Sequence, residues 1–119
     1  MPFLPIPVLW NEPFGLSIVE SLYFGCPVFG TPYGSLTEII QPNVGITSNS
    51  LSALVDAVQN ANQFDPKICH EYVMENFTSI HMTNAYLSKY ETVLSGHQLN
   101  DIAPTLKTVQ TEKFLPFLP

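Results

Sequence analysis

The chain has 119 residues, 45% of them hydrophobic and only 12% charged, and its cations are four lysines without any arginine, for a formal net charge of −6. That length suits one small domain burying about two thirds of the surface its unfolded form exposes, and so apolar a composition excludes a disordered chain. Clustered cations are missing, which excludes a nucleic-acid or anionic-membrane surface, and the thin supply of charge predicts apolar surface covered by something outside the sequence.

In chain order, the opening MPFLPIPVLW is apolar but lacks a basic start and carries three prolines. It is far shorter than the ~20 residues of a membrane span, so it reads as neither signal nor anchor. Ile6, Val8 and Trp10 at alternate positions predict a short buried strand within residues 2–10. Pro13, Phe14 and Gly15 turn the chain into a helix over 15–24, closed by Gly25 and Pro27. CPVFGT at 26–31 has the make-up of a buried strand, and Thr31-Pro32-Tyr33-Gly34 that of a turn. Ser35 and Glu38 fit a capping box for a short helix ended by Pro42, and Val44 to Thr47 is a last short strand.

Three helices follow. Leu51, Leu54, Val55, Val58 and Ala61 recur at helical spacing behind Ser50 as cap. Asp65 and Pro66 are a cap and first position, with Cys69, Val73 and Phe77 on one face. The third runs from Ser79 to Ser95 and stops at Gly96, with Met82, Tyr86, Tyr90 and Val93 as its stripe. Beyond His97 the pattern fades into a tail that is irregular or loosely attached, giving a domain over 1–96 and a tail over 97–119. Alternating strands and helices predict an α/β layer with a small parallel sheet, flanking helices and a C-terminal helical segment. Phe-Leu-Pro occurs at 3–5, 114–116 and 117–119, too short a unit for a repeat architecture.

Two acids mark the first helix. Glu12 precedes its first turn, and Glu20 shares a face with Ser17 and Ser21 that is expected to look into a cleft, because apolar residues cover the rest of a helix packed on two sides. Backbone N–H groups near Gly15 and Leu16 are free at the helix start, and Gly15 removes the side chain that would block an anionic or polyhydroxylated ligand. Spacing alone favours a plainer account, a glutamate answering the helix dipole and another solvated on the surface. His70, His81 and His97 are dispersed, so no metal site is expected. Cys26 and Cys69 sit in apolar segments and read as reduced core thiols, which favours the cytosol and makes the sequon at Asn76 coincidental.

The run Glu12-Pro13-Phe14-Gly15-Leu16-Ser17-Ile18-Val19-Glu20-Ser21-Leu22, with Gly25-Cys26-Pro27-Val28 and Thr31-Pro32-Tyr33-Gly34-Ser35-Leu36-Thr37-Glu38-Ile39-Ile40, resembles the end of the donor-binding domain in family 4 retaining glycosyltransferases. Phe64-Asp65, Tyr72-Val73, Phe77, Tyr86-Leu87 and Tyr90-Glu91 extend the likeness to about Gly96. The resemblance implies a GT-B fold of two Rossmann-like domains facing across a cleft, of which this chain would be part of the C-terminal one. It implies hexosyl transfer from a nucleotide diphosphate sugar with retained configuration and without a metal. Glu12 would be the catalytic-site acid that bonds donor-sugar hydroxyls, Glu20 would hold the ribose, and Phe14, Gly15 and Leu16 would offer backbone N–H groups to sugar and diphosphate.

One departure matters. The family neutralises the leaving diphosphate with a basic pair upstream of the signature, and no lysine or arginine precedes Lys67. The chain is therefore expected to be a fragment carrying the carboxylate half of a donor site, inactive alone, its cations coming from a missing N-terminal domain or a complementary chain. That absent domain would also meet the acceptor, including one at a membrane. Two alternatives stay open, a non-catalytic or split-enzyme subunit that docks on a separate chain and a plain nucleotide-sugar binding module. Free apolar edges predict self-association.

Overall fold

A computed structural model describes residues 1–119. Strand β1 (Leu4–Ile6), helix α1 (Leu16–Tyr23), strand β2 (Val28–Gly30), helix α2 (Leu36–Ile39) and strand β3 (Gly45–Thr47) alternate along the chain. Helix α3 (Leu51–Gln59), a 3-10 turn (Ala61–Gln63), and helices α4 (Pro66–Asn76) and α5 (Ser79–Leu94) follow. The strands lie in the order β1-β2-β3 and both pairs are parallel, with Val28 opposite Leu4 on one side and Gly45 on the other. The expected small parallel α/β sheet is therefore the architecture that forms.

β2 shows why this sequence needs helices on both faces. All three of its residues are buried, and successive strand side chains point to opposite sides. Val28 packs with Ile18 and Leu22 of α1, Leu36 and Ile39 of α2, and Cys69 and Val73 of α4, whereas Phe29 packs with Leu54, Ala57, Ala61 and Phe64. A strand with no polar alternation is satisfied only in a three-layer arrangement. Ile18 and Leu22 are fully buried, and truncating either to alanine removes packing worth about 2–5 kcal/mol.

Several local expectations change. β1 ends at Ile6, so the alternation seen at Ile6, Val8 and Trp10 is not a strand; prolines at 5 and 7 limit its ladder, and Trp10 lies exposed. α1 packs against both β2 and α4, yet Leu16 at its start stays 68% exposed. Its end is a Schellman motif, left-handed Gly25 (φ 77°) donating to Leu22 O and Cys26 N–H to Ser21 O at 2.9 and 3.0 Å. Asp65 caps α4 as its sequence suggests, accepting from Lys67 N–H, and Thr78 caps α5 through His81 N–H.

Ser50 does not cap α3: its hydroxyl pairs with Ser52, and the first N–H of the helix, at Leu51, donates instead to the carbonyl of Leu118. The tail is thus irregular but not loose at its far end, which returns to the sheet. α5 carries its apolar stripe as expected, yet none of its residues is buried. No helix is long and apolar enough to cross a membrane.

Candidate functional site

The segment between β1 and α1 is held around Glu12 by one bond of its own and by three from the loop before α2. Trp10 Nε1 donates to Glu12 Oε2 at 3.0 Å, fixing one carboxylate oxygen and leaving the other free. The Glu12 carbonyl accepts from Ser35 N–H at 2.8 Å, the Phe14 carbonyl accepts from the Ser35 hydroxyl at 2.9 Å, and Asn11 Oδ1 accepts from Gly34 N–H at 3.2 Å. Ser35 is therefore not a capping-box residue. Its hydroxyl makes no cap bond to α2 and is spent on the loop that carries Glu12.

Two glycines make this possible. Gly34 has φ +60°, and a Cβ there would fall on the amide and carbonyl of Glu12 and 2.7 Å from the carbonyl carbon of Asn11. Only a residue without a side chain lets the two loops touch backbone to backbone. Gly15 has φ 82° and ψ 73° at the start of α1, where no side chain caps the helix and no acid occupies the first turn. The leading N–H groups of α1 are left pointing out of the helix with the positive end of its dipole, about half a unit charge.

Phe14 is braced from behind. Its ring meets Phe77 edge-on at 6.1 Å, Phe77 meets Tyr72 at 5.5 Å, and the Tyr72 hydroxyl donates to the Ile39 carbonyl at the end of α2. The periodicity of α4 places Phe77 on a core face but gives no hint that the core there is the back of the site. Local chemistry assigns Gly34 to a turn and Ser35 to a helix cap, whereas in the fold both serve the loop that carries Glu12. Two residues of alternative use in one turn cannot be told apart before the partner loop is known.

Glu12 is half-buried and Glu20 is exposed. Glu20 makes no hydrogen bond to a side chain, and it looks outward instead of into a cleft. Ser21, expected on the same polar face, turns its hydroxyl inward to the Cys26 carbonyl at 3.1 Å. Leu16 and Glu20, four residues apart, still share a stripe of α1 about 6 Å long. The one ion pair, Lys67 with Glu71 at 3.5 Å, lies on α4 and leaves both acids uncompensated. No three metal-ligating side chains converge anywhere.

The grooves of the chain lie elsewhere. One of about 630 Å³ follows the free edge of β3 between Asn43 and Asp65, and an apolar one of about 450 Å³ lies between Pro7, Phe29 and α3. Glu12, Phe14, Gly15, Leu16 and Glu20 line neither and form an open rim at the carboxyl end of the sheet, where α/β ligands enter.

A family model described as glycosyl transferases group 1 matches residues 4–73, more than half of the chain. The chain belongs to the group 1 glycosyltransferases. The match runs from β1 into α4, so it takes in the whole rim, while α5 and the tail of this glycosyltransferase domain lie outside it. A comparison with curated proteins found no match.

Proposed function

We propose that this glycosyltransferase domain binds a nucleotide diphosphate sugar along α1 for hexosyl transfer with retention, in the manner of family 4, and that it holds only the carboxylate half of the donor site. The observation that carries the proposal is a carboxylate, Glu12, fixed by an indole beside the uncapped N-terminus of α1. A bare phosphate at that N-terminus would feel Glu12 at a cost of up to about 4 kcal/mol for a 4 Å approach near a protein surface. A ligand that presents hydroxyls to the carboxylate and its diphosphate to the N–H groups satisfies both.

The parts then follow in line. Glu12 accepts from sugar hydroxyls and is the acid nearest the reacting carbon; the N–H groups at Phe14, Gly15 and Leu16 serve sugar and diphosphate. Glu20, with both oxygens unengaged, takes the two ribose hydroxyls. The departing diphosphate gathers negative charge as its bond to the sugar breaks, and stabilising that charge contributes more to the rate than any other single effect. No cation precedes Lys67, so turnover needs cations from outside residues 1–119 and takes none from a metal. A cytosolic setting belongs to the same reading and rests on two unpaired thiols.

Isothermal titration of uridine- and guanosine-diphosphate sugars into the chain, Glu12→Gln and Glu20→Ala tests this. Loss of a charge-assisted hydrogen bond, worth about 1.5–3 kcal/mol, lowers affinity roughly 10- to 100-fold in each variant. Equal affinities in all three would remove both roles. A second reading, a docking subunit for a separate chain, is favoured by one observation: Tyr86, Leu87, Tyr90, Val93 and Leu94 of α5 are all at least half exposed. It expects self-association in sedimentation that Tyr90→Glu abolishes; a monomer at high concentration opposes it.

A further inference from the structure

Residues 98–109 are exposed throughout and form no hydrogen bond. The chain then comes back to the sheet. Gln110 Oε1 accepts from Asn11 Nδ2 at 3.0 Å, Leu115 N–H donates to the Leu9 carbonyl at 2.8 Å, and the Tyr33 hydroxyl donates to the Pro116 carbonyl. Leu118 N–H donates to the Asn49 carbonyl at 2.7 Å, and its own carbonyl accepts from Leu51 N–H at 2.8 Å. Phe117 enters the apolar groove beside Pro7, Phe29 and Val55.

The order of these anchors is informative. Leu9 follows β1, Tyr33 follows β2 and Asn49 follows β3, so the returning segment crosses the carboxyl ends of all three strands, the side on which parallel α/β sheets take ligands. Asn11 and Tyr33 also flank the loop contact that holds Glu12, one being its chain neighbour and the other next to Gly34. We infer that residues 110–118 are a built-in strap across the donor side of the sheet, which competes with a nucleotide diphosphate sugar for the rim at Glu12; this rests on the donor-binding reading above.

The strap is made to leave. Leu115 is its one half-buried residue from 110 to 118, while Phe114, Phe117 and Leu118 keep 58%, 37% and 53% of their surface exposed. Pro116 removes a backbone donor, so Leu115 and Leu118 supply the two amides that donate to the loops, while Gln110 Oε1 and the carbonyls of Pro116 and Leu118 accept. The linker before it adds no attachment. Coupling is reciprocal: whatever factor the strap takes from the ligand's affinity, the ligand takes from the strap's docking.

The test uses the full chain, a chain with residues 110–119 deleted, and the double variant Phe117→Ser/Leu118→Pro in case the deletion folds poorly. Each is titrated with uridine diphosphate glucose and guanosine diphosphate mannose, and amide exchange is followed at Leu115 and Leu118. Strap removal raises donor affinity by about tenfold or more, and saturating donor strips protection from both amides in the full chain. Affinities within about twofold of the full chain, with both amides still protected at saturation, overturn the strap. Failure of every form to bind a donor instead overturns the donor reading. A synthetic peptide of residues 110–119 added to the deleted chain then decides docking alone: shifts at Leu9, Asn11, Tyr33 and Leu51 support it, and unchanged resonances overturn it.

Discussion

Gly34→Ala tests the construction of the rim at its tightest point. The new methyl would sit on the backbone of Glu12 and 2.7 Å from Asn11, and backbone cannot rotate out of the way as a side-chain tip can. Three losses add. A left-handed conformation costs an L-residue about 1–2 kcal/mol. Separating the loops also breaks the bonds from Ser35 N–H to Glu12 and from Gly34 N–H to Asn11, each worth about 1 kcal/mol. The sum is roughly 3–4 kcal/mol, a large share of a small domain's stability. Gly96→Ala supplies the control, because Gly96 has φ +87° with nothing within 4 Å of the added carbon. It carries the conformational cost without the collision. Urea unfolding should therefore lower the midpoint two to three times as far for Gly34→Ala as for Gly96→Ala at unchanged slope, a ratio of about 2–3 set by the broken loop contact. Equal midpoints in the two variants would show that the loops do not meet at Gly34, and the account of how Glu12 is held would go with them.

Phe77→Ala removes both edge-on contacts behind Phe14, with Phe14 and with Tyr72, and should cost at least about 1–3 kcal/mol in urea unfolding. Donor affinity should fall further than in Met74→Ala, a change on the exposed side of the same helix; equal affinities would sever Phe77 from the rim. Burial foremost, with Cys26 and Asp65 adding, pushes the Cys69 thiol up to about 11 from 9.0. The unfolded chain then releases this proton first, so stability is level below about pH 9 and declines between pH 9 and 11, by at most roughly 3 kcal/mol. Unfolding midpoints of the wild type and Cys69→Ala across that range check it. Parallel declines would show that the thiol contributes nothing.

Much of this domain was legible in its residues. The alternation of CPVFG with amphipathic segments demanded a parallel sheet between helix layers, because a strand apolar on both faces has no other place. Gly25, Asp65 with Pro66, and Gly96 marked helix ends through backbone chemistry that acts within a few residues. The signature from Glu12 to Glu20 and its two companion segments marked the family by resemblance, and the charge count is the ground of the proposal that cations come from outside residues 1–119.

What the tertiary structure decided were the uses of groups that have more than one possible partner. Ser35 and Ser50 carry the same hydroxyl chemistry as a helix cap, yet one is taken by the Phe14 carbonyl and the other by Ser52, because the carbonyls and amides around them were reassigned by loops distant in sequence. Trp10 continues an apolar alternation but holds Glu12, since the ladder stops at Ile6. The tail looked detached because nothing local binds it; its partners are the carboxyl ends of three strands more than sixty residues earlier. Local patterns determine which segments become helix or strand, for those hydrogen bonds close within the segment or its neighbours. The exposed outlook of Glu20 and the return of the tail depend on packing geometry, which no short stretch of sequence contains.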